Sequence, residues 1–135
     1  MRTKQVRPEP KEFEYELHIS KEFDKITEKD FILFDFRTTK IFEYFIYKIN
    51  VFEKILPEKK EINFRVEGLS APKISLSNPG YANYQYKFYD FKNSEYELKL
   101  TKPGIEKNVF KLKISKANIK ILKQPTNRFI KIILN

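Results

Sequence analysis

Residues 13–20 read Phe13-Glu14-Tyr15-Glu16-Leu17-His18-Ile19-Ser20. The apolar Phe13, Tyr15, Leu17 and Ile19 alternate with Glu14, Glu16, His18 and Ser20, and a period of two belongs to a half-buried β-strand. The same grammar returns at Glu95–Lys102 (EYELKLTK) and, more loosely, at Phe110–Lys116 (FKLKISK). No flanking similarity accompanies these segments, so they mark strands of like kind and not an internal duplication. Further strands are predicted over Phe31–Thr38, Ile62–Val66, Lys73–Leu76, Tyr84–Phe91, Glu95–Thr101, Val109–Ser115, Asn118–Leu122 and Phe129–Leu134.

The breaks between these runs carry turn chemistry. Asn78-Pro79-Gly80 and Lys102-Pro103-Gly104 place proline and glycine as a type II turn requires, the first with a fixed negative φ and the second with a positive one. Lys92-Asn93-Ser94 and Gln124-Pro125-Thr126-Asn127 are similar clusters. One stretch is ambiguous. Over Lys40–Leu56, Phe42, Phe45, Ile46, Ile49, Phe52 and Leu56 fit a helical stripe that Pro57 would stop, while β-branched and aromatic residues favour a strand. The expected architecture is all-β, an antiparallel β-sandwich or barrel, with a helix near residues 40–56 as the alternative to a strand there.

Residues 1–11 carry Arg2, Lys4, Arg7 and Lys11 around Pro8 and Pro10 and read as an extended basic arm, leaving residues 12–135 as a single β-rich domain. With 41% hydrophobic and 33% charged residues, the chain has the composition of a folded protein. Cysteine is absent, which removes thiolate chemistry and Cys-based zinc sites. The polar start and the lack of a long apolar run lead to the expectation of a soluble chain without a signal peptide or membrane span, cytoplasmic if full length. A mature domain trimmed of a leader would read the same way.

Charge is unevenly distributed. Residues 1–67 hold 14 basic and 14 acidic side chains, whereas residues 68–135 hold 13 and 4, so the net charge of +9 belongs to the second half. From Lys107 onward there are eight cations, Lys107, Lys111, Lys113, Lys116, Lys120, Lys123, Arg128 and Lys131, and no carboxylate. An AT-rich genome would inflate lysine everywhere but would not remove acids from one end. Because Phe110, Leu112 and Ile114 share one strand parity, Lys111 and Lys113 are expected to stand outward together. Unpaired clustered cations favour anionic partners such as a nucleic-acid backbone or an acidic protein surface. The alternative role of such lysines is to keep exposed strand edges from pairing between molecules.

Three tyrosines, Tyr84, Tyr86 and Tyr89, lie in an aromatic-rich run and are candidates for stacking contact if they face outward, although packing into the core is the common fate of such rings. His18 is the only histidine and no nucleophile or orienting partner is evident for it, which leaves a general-base or metal role unsupported. Asp24, Glu28, Asp30 and Asp35 do not follow EF-hand spacing. With three glycines, no phosphate-binding loop can be written. No cofactor is expected. Asp90 followed by Glu97-Leu98-Lys99 resembles, in letters alone, the acid and acid-x-Lys arrangement of metal-dependent nucleases.

The function expected from sequence is a non-catalytic binding or structural module, a component of a larger assembly, that engages an anionic partner through its basic C-terminal strands. An extracytoplasmic β-sandwich with a scaffolding or adhesive role and solubilising lysines is the alternative, and a metal-dependent nuclease the remote one.

Overall fold

A computed structural model describes residues 15–42, 48–70, 80–104, 107–115 and 118–135. The basic arm, the Lys73–Leu76 strand, most of the Asn78-Pro79-Gly80 turn and Lys116 lie outside the described residues. Among the described residues nine strands run in chain order: β1 (Tyr15–Asp24), β2 (Lys29–Phe42), β3 (Lys48–Leu56), β4 (Glu61–Ser70), β5 (Gly80–Phe88), β6 (Ser94–Thr101), β7 (Lys107–Ile114), β8 (Ile119–Lys123) and β9 (Ile130–Leu134). A 3-10 turn, Pro57–Lys59, bends the chain between β3 and β4. The described part of the ambiguous 40–56 stretch is strand, at the end of β2 and over β3. No helix among the described residues is long and apolar enough to cross a membrane.

The strand order is β8-β7-β6-β4-β3-β5-β2-β1-β9. At its centre β3 and β5 meet through a single bridge, Lys48 with Asn83, whereas the flanking pairs are long. The order therefore breaks there into two sheets, β9-β1-β2-β5 and β3-β4-β6-β7-β8, which pack face to face as a sandwich and do not close into a barrel. Phe64 of β4 joins them. Its ring centroid lies 5.2 Å from that of Phe34 and 5.0 Å from that of Phe36, both on β2, and 5.7 Å from that of Tyr86 on β5. Phe34, Phe36, Phe64 and Phe110 are buried with Leu17, Ile19, Ile32, Leu98 and Leu112, and each such side chain contributes roughly 1.5–3 kcal/mol relative to exposure.

The sheets are mixed where an antiparallel arrangement was expected. Every hairpin, β1-β2, β3-β4, β6-β7 and β7-β8, is antiparallel because a short connection must reverse the chain. The two longer parallel pairs, β1 with β9 and β4 with β6, join strands that reach their neighbour after the chain has crossed between sheets, so no tight turn dictates their sense. The Pro103-Gly104 turn has its anticipated positive φ at Gly104 (104°). β5, expected to continue to Phe91, ends at Phe88. Asp90 takes a left-handed φ of 43°, and Phe91 folds back to pack against Phe88 at 6.5 Å.

Candidate anion-binding surface

β7 alternates strictly. Asn108, Phe110, Leu112 and Ile114 are buried, while Lys107, Lys111 and Lys113 are exposed on the outer face. β8 pairs with it so that Lys113 faces Lys120 and Lys111 faces Lys123. In a regular strand, residues three apart point to opposite sides. The register shifts between Lys111 and Leu112, which absorbs Leu122 as an extra residue and returns Lys123 to the face that carries Lys120. Five of the eight anticipated cations, Lys107, Lys111, Lys113, Lys120 and Lys123, thus share one surface.

Like charges directly opposite across a strand pair destabilise it. Two such lysine pairs stand side by side here, and relief comes from one direction only. On the β6 side, Glu95 lies opposite Lys113 and Glu97 opposite Lys111, with Glu95 Oε1 3.4 Å from Lys111 Nζ. Among the described residues no carboxylate lies within 4.0 Å of Lys107, Lys113, Lys120 or Lys123.

The two outer faces differ in charge. Outward positions on β9, β1, β2 and β5 set Glu16, Glu22 and Asp35 against Arg37, Lys87 and Lys131, which is balanced. Arg37 donates from Nε and Nη2 to Asp35 Oδ2 at 3.1 and 2.9 Å, and His18 Nε2 lies 2.9 Å from Glu16 Oε1. The opposite face sets Lys54, Arg65, Lys99, Lys107, Lys111, Lys113, Lys120 and Lys123 against Glu61, Glu67, Glu95 and Glu97, an excess of four cations. Lys131, in register with Glu16, belongs to the balanced face. Arg128 lies in the β8–β9 connection and donates to Gln124.

None of the three candidate tyrosines stands on the lysine-bearing face. Tyr84 and Tyr86 point between the sheets, with Tyr84 6.1 Å from Phe36 and Tyr86 5.7 Å from Phe64. Burial and a hydrogen bond donated to Glu53 hold the Tyr84 phenol well above its ordinary pKa, and burial followed by the Glu53 charge raises that of Tyr86. Tyr89 donates to Asp24 Oδ2 at 2.8 Å, which raises its own pKa and lowers that of Asp24, and its ring packs 5.1 Å from Phe31. The exposed ring on the basic face is instead Phe52 of β3, 65% accessible and in register with Arg65.

The acid-x-Lys letters also separate. Asp90 lies beyond β5 with Oδ1 3.9 Å from Lys29 Nζ. Glu97 is in register with Glu61, and Lys99 Nζ lies 3.6 Å from a carboxylate oxygen of each, so this acid pair is turned onto a lysine. No group of three or more potential metal ligands occurs among the described residues.

Sequence reasoning missed Phe52, Lys54, Arg65 and Lys99. Phe52, Lys54 and Arg65 lie in the charge-balanced half and reach the lysine rows only through the parallel β4–β6 pairing, of which the local pattern carries no sign, whereas Lys99 lies on β6, directly beside β7. Against family models, curated proteins and solved structures, the chain has no match.

Proposed function

We propose that this chain is a non-catalytic binding module, a component of a larger assembly, whose β7–β8 face takes the phosphate backbone of a nucleic acid. The observation that carries the reading is the pair of opposed lysines, Lys111 with Lys123 and Lys113 with Lys120, on a face with four surplus cations while the other face is neutral. An anion laid between the rows turns a repulsion into attraction from both sides. Lysine acts here as a point charge, so the contact supplies affinity with little base preference.

Four or five phosphate contacts would make the logarithm of affinity fall against the logarithm of salt with a slope of roughly −4 for duplex and −3 for a single strand. A salt titration of binding to mixed single-stranded and duplex oligonucleotides measures this slope. Reversing Lys111, Lys113 and Lys120 to glutamate should abolish tight binding at low salt. Wild-type affinity no better than that of a neutral control domain would defeat the proposal. Binding to an acidic protein with none to nucleic acid would transfer the same face to a different partner.

A further inference from the structure

Next to the lysine rows the same face is concave. Phe52, Arg65, Thr101 and Lys107 form one row across β3, β4, β6 and β7, and Lys54, Asn63 and Lys99 lie in the next. Asn63 and Thr101 are short and make a floor, and the longer side chains around them make walls, leaving a depression of about 370 Å³. Lys99 is held by Glu61 and Glu97, and Arg65 by Glu67. Lys54 and Lys107, at opposite ends, have no ion pair among the described residues. Three strand spacings separate them, roughly 15 Å, the length of several phosphate steps and not of one.

We infer that this depression seats a single strand of nucleic acid, with Phe52 as a stacking platform for a base and Lys54 and Lys107 as phosphate contacts. The inference rests on the proposed function and narrows it. Phe52 is an exposed aromatic among the cations Lys54, Arg65 and Lys107, and an aromatic ring interleaved with a basic groove is the arrangement that serves unpaired bases. A duplex keeps its bases stacked inside and would offer Phe52 only sugar and phosphate, so the ring distinguishes single from double strands. Lys107 continues directly along β7 to Lys111, which extends the path toward the opposed lysines.

Fluorescence anisotropy with a labelled oligothymidine, a duplex of equal length and inorganic polyphosphate as a base-free polyanion tests this. Phe52→Ala and Phe52→Leu should each weaken oligothymidine binding by at least about fivefold, the low end of a single stacking contact, and leave polyphosphate binding unchanged. Phe52→Tyr should bind like wild type. Lys54→Ala and Lys107→Ala should each reduce the salt slope by about one. Phe52 is largely exposed, so neither truncation should disturb the fold, which thermal unfolding verifies. Oligothymidine affinity unaffected by both Phe52 truncations would overturn the inference while leaving the anion-binding face standing. Failure of the wild-type protein to bind either oligothymidine or polyphosphate would remove both.

Discussion

Replacing Asn108 by alanine should cost about 1.5–4.5 kcal/mol of stability, more than any other single polar truncation on β7. Asn108 is 4% exposed and occupies a core position in the row with Phe110, Leu112 and Ile114. Its Nδ2 donates to the carbonyl of Asn127 at 2.9 Å, and its Oδ1 accepts the N–H of Phe129 at 2.9 Å. One amide side chain therefore pins the β8–β9 connection to the opposite sheet. The two bonds are not equal. Asn127 is exposed, so water can take the place of Asn108 at its carbonyl and that loss is roughly 0.5–1.5 kcal/mol. The Phe129 N–H is buried, and an unsatisfied buried donor costs roughly 1–3 kcal/mol.

The consequence extends along the chain. Phe129 stacks edge-on against Tyr15 at 6.4 Å and lies under Lys102 Nζ at 5.4 Å, plugging the side of the sandwich where β8 and β9 are the outermost strands. Urea unfolding at constant m-value gives the stability change, and hydrogen exchange at the Phe129 amide reports the local one. Against a typical total of about 5–15 kcal/mol the loss should be plain in the midpoint. A cost below about 0.5 kcal/mol together with unchanged Phe129 protection would refute the role given to Asn108.

Two further outcomes follow from the site and its surroundings. Tyr84, Tyr86 and Tyr89 all hold their protons above the ordinary phenol range, so the unfolded chain ionises first, and stability should be full below about pH 10 and fall as pH rises beyond it. Tyr84→Phe should lessen that alkaline loss, read by unfolding midpoints against pH with phenolate absorbance as the companion signal, and an identical alkaline profile in the variant would contradict it. Neutralising Lys111 and Lys113 together should weaken polyanion binding without promoting aggregation, whereas neutralising Lys120 and Lys123 should do both. Light scattering beside binding measurements separates the two, and aggregation caused equally by both pairs would count against the distinction.

The alternation that predicts β1, β6 and β7 is legible because each has a clean inner and outer side, and the same argument put Lys111 and Lys113 on one face. What was hidden depends on pairing. A strict period of two sets Lys120 and Lys123 on opposite faces, and the β7–β8 register shift that reunites them is set by contact with another strand. Lys131 shares the acid-free terminal segment with Lys123, yet the β8–β9 connection carries it to the other sheet beside Glu16. Phe52 fits a helical stripe as readily as a strand, and only the register with Arg65 places it on the basic face. Tyr84 and Tyr86 share one strand parity, but parity alone does not say which side faces inward.

Edge protection accounts for some of these lysines and not for others. β8 ends its sheet, and charged residues on such a strand discourage pairing with a second molecule, which is sufficient reason for Lys120 and Lys123. β7 lies between β6 and β8, and β8 covers its Lys111–Ile114 half, so Lys111 and Lys113 stand on no free edge and guard nothing. Solubility alone would be served as well by the mixed charge of the opposite face, where Glu16, Asp35 and Arg37 show that this chain places acids among its cations on an outer surface. A scaffold with merely solubilising lysines therefore explains the outermost strand and leaves the one beside it without a cause. The proposed anionic ligand, lying across both strands, would account for the two together, because its binding would remove the repulsion between facing lysines.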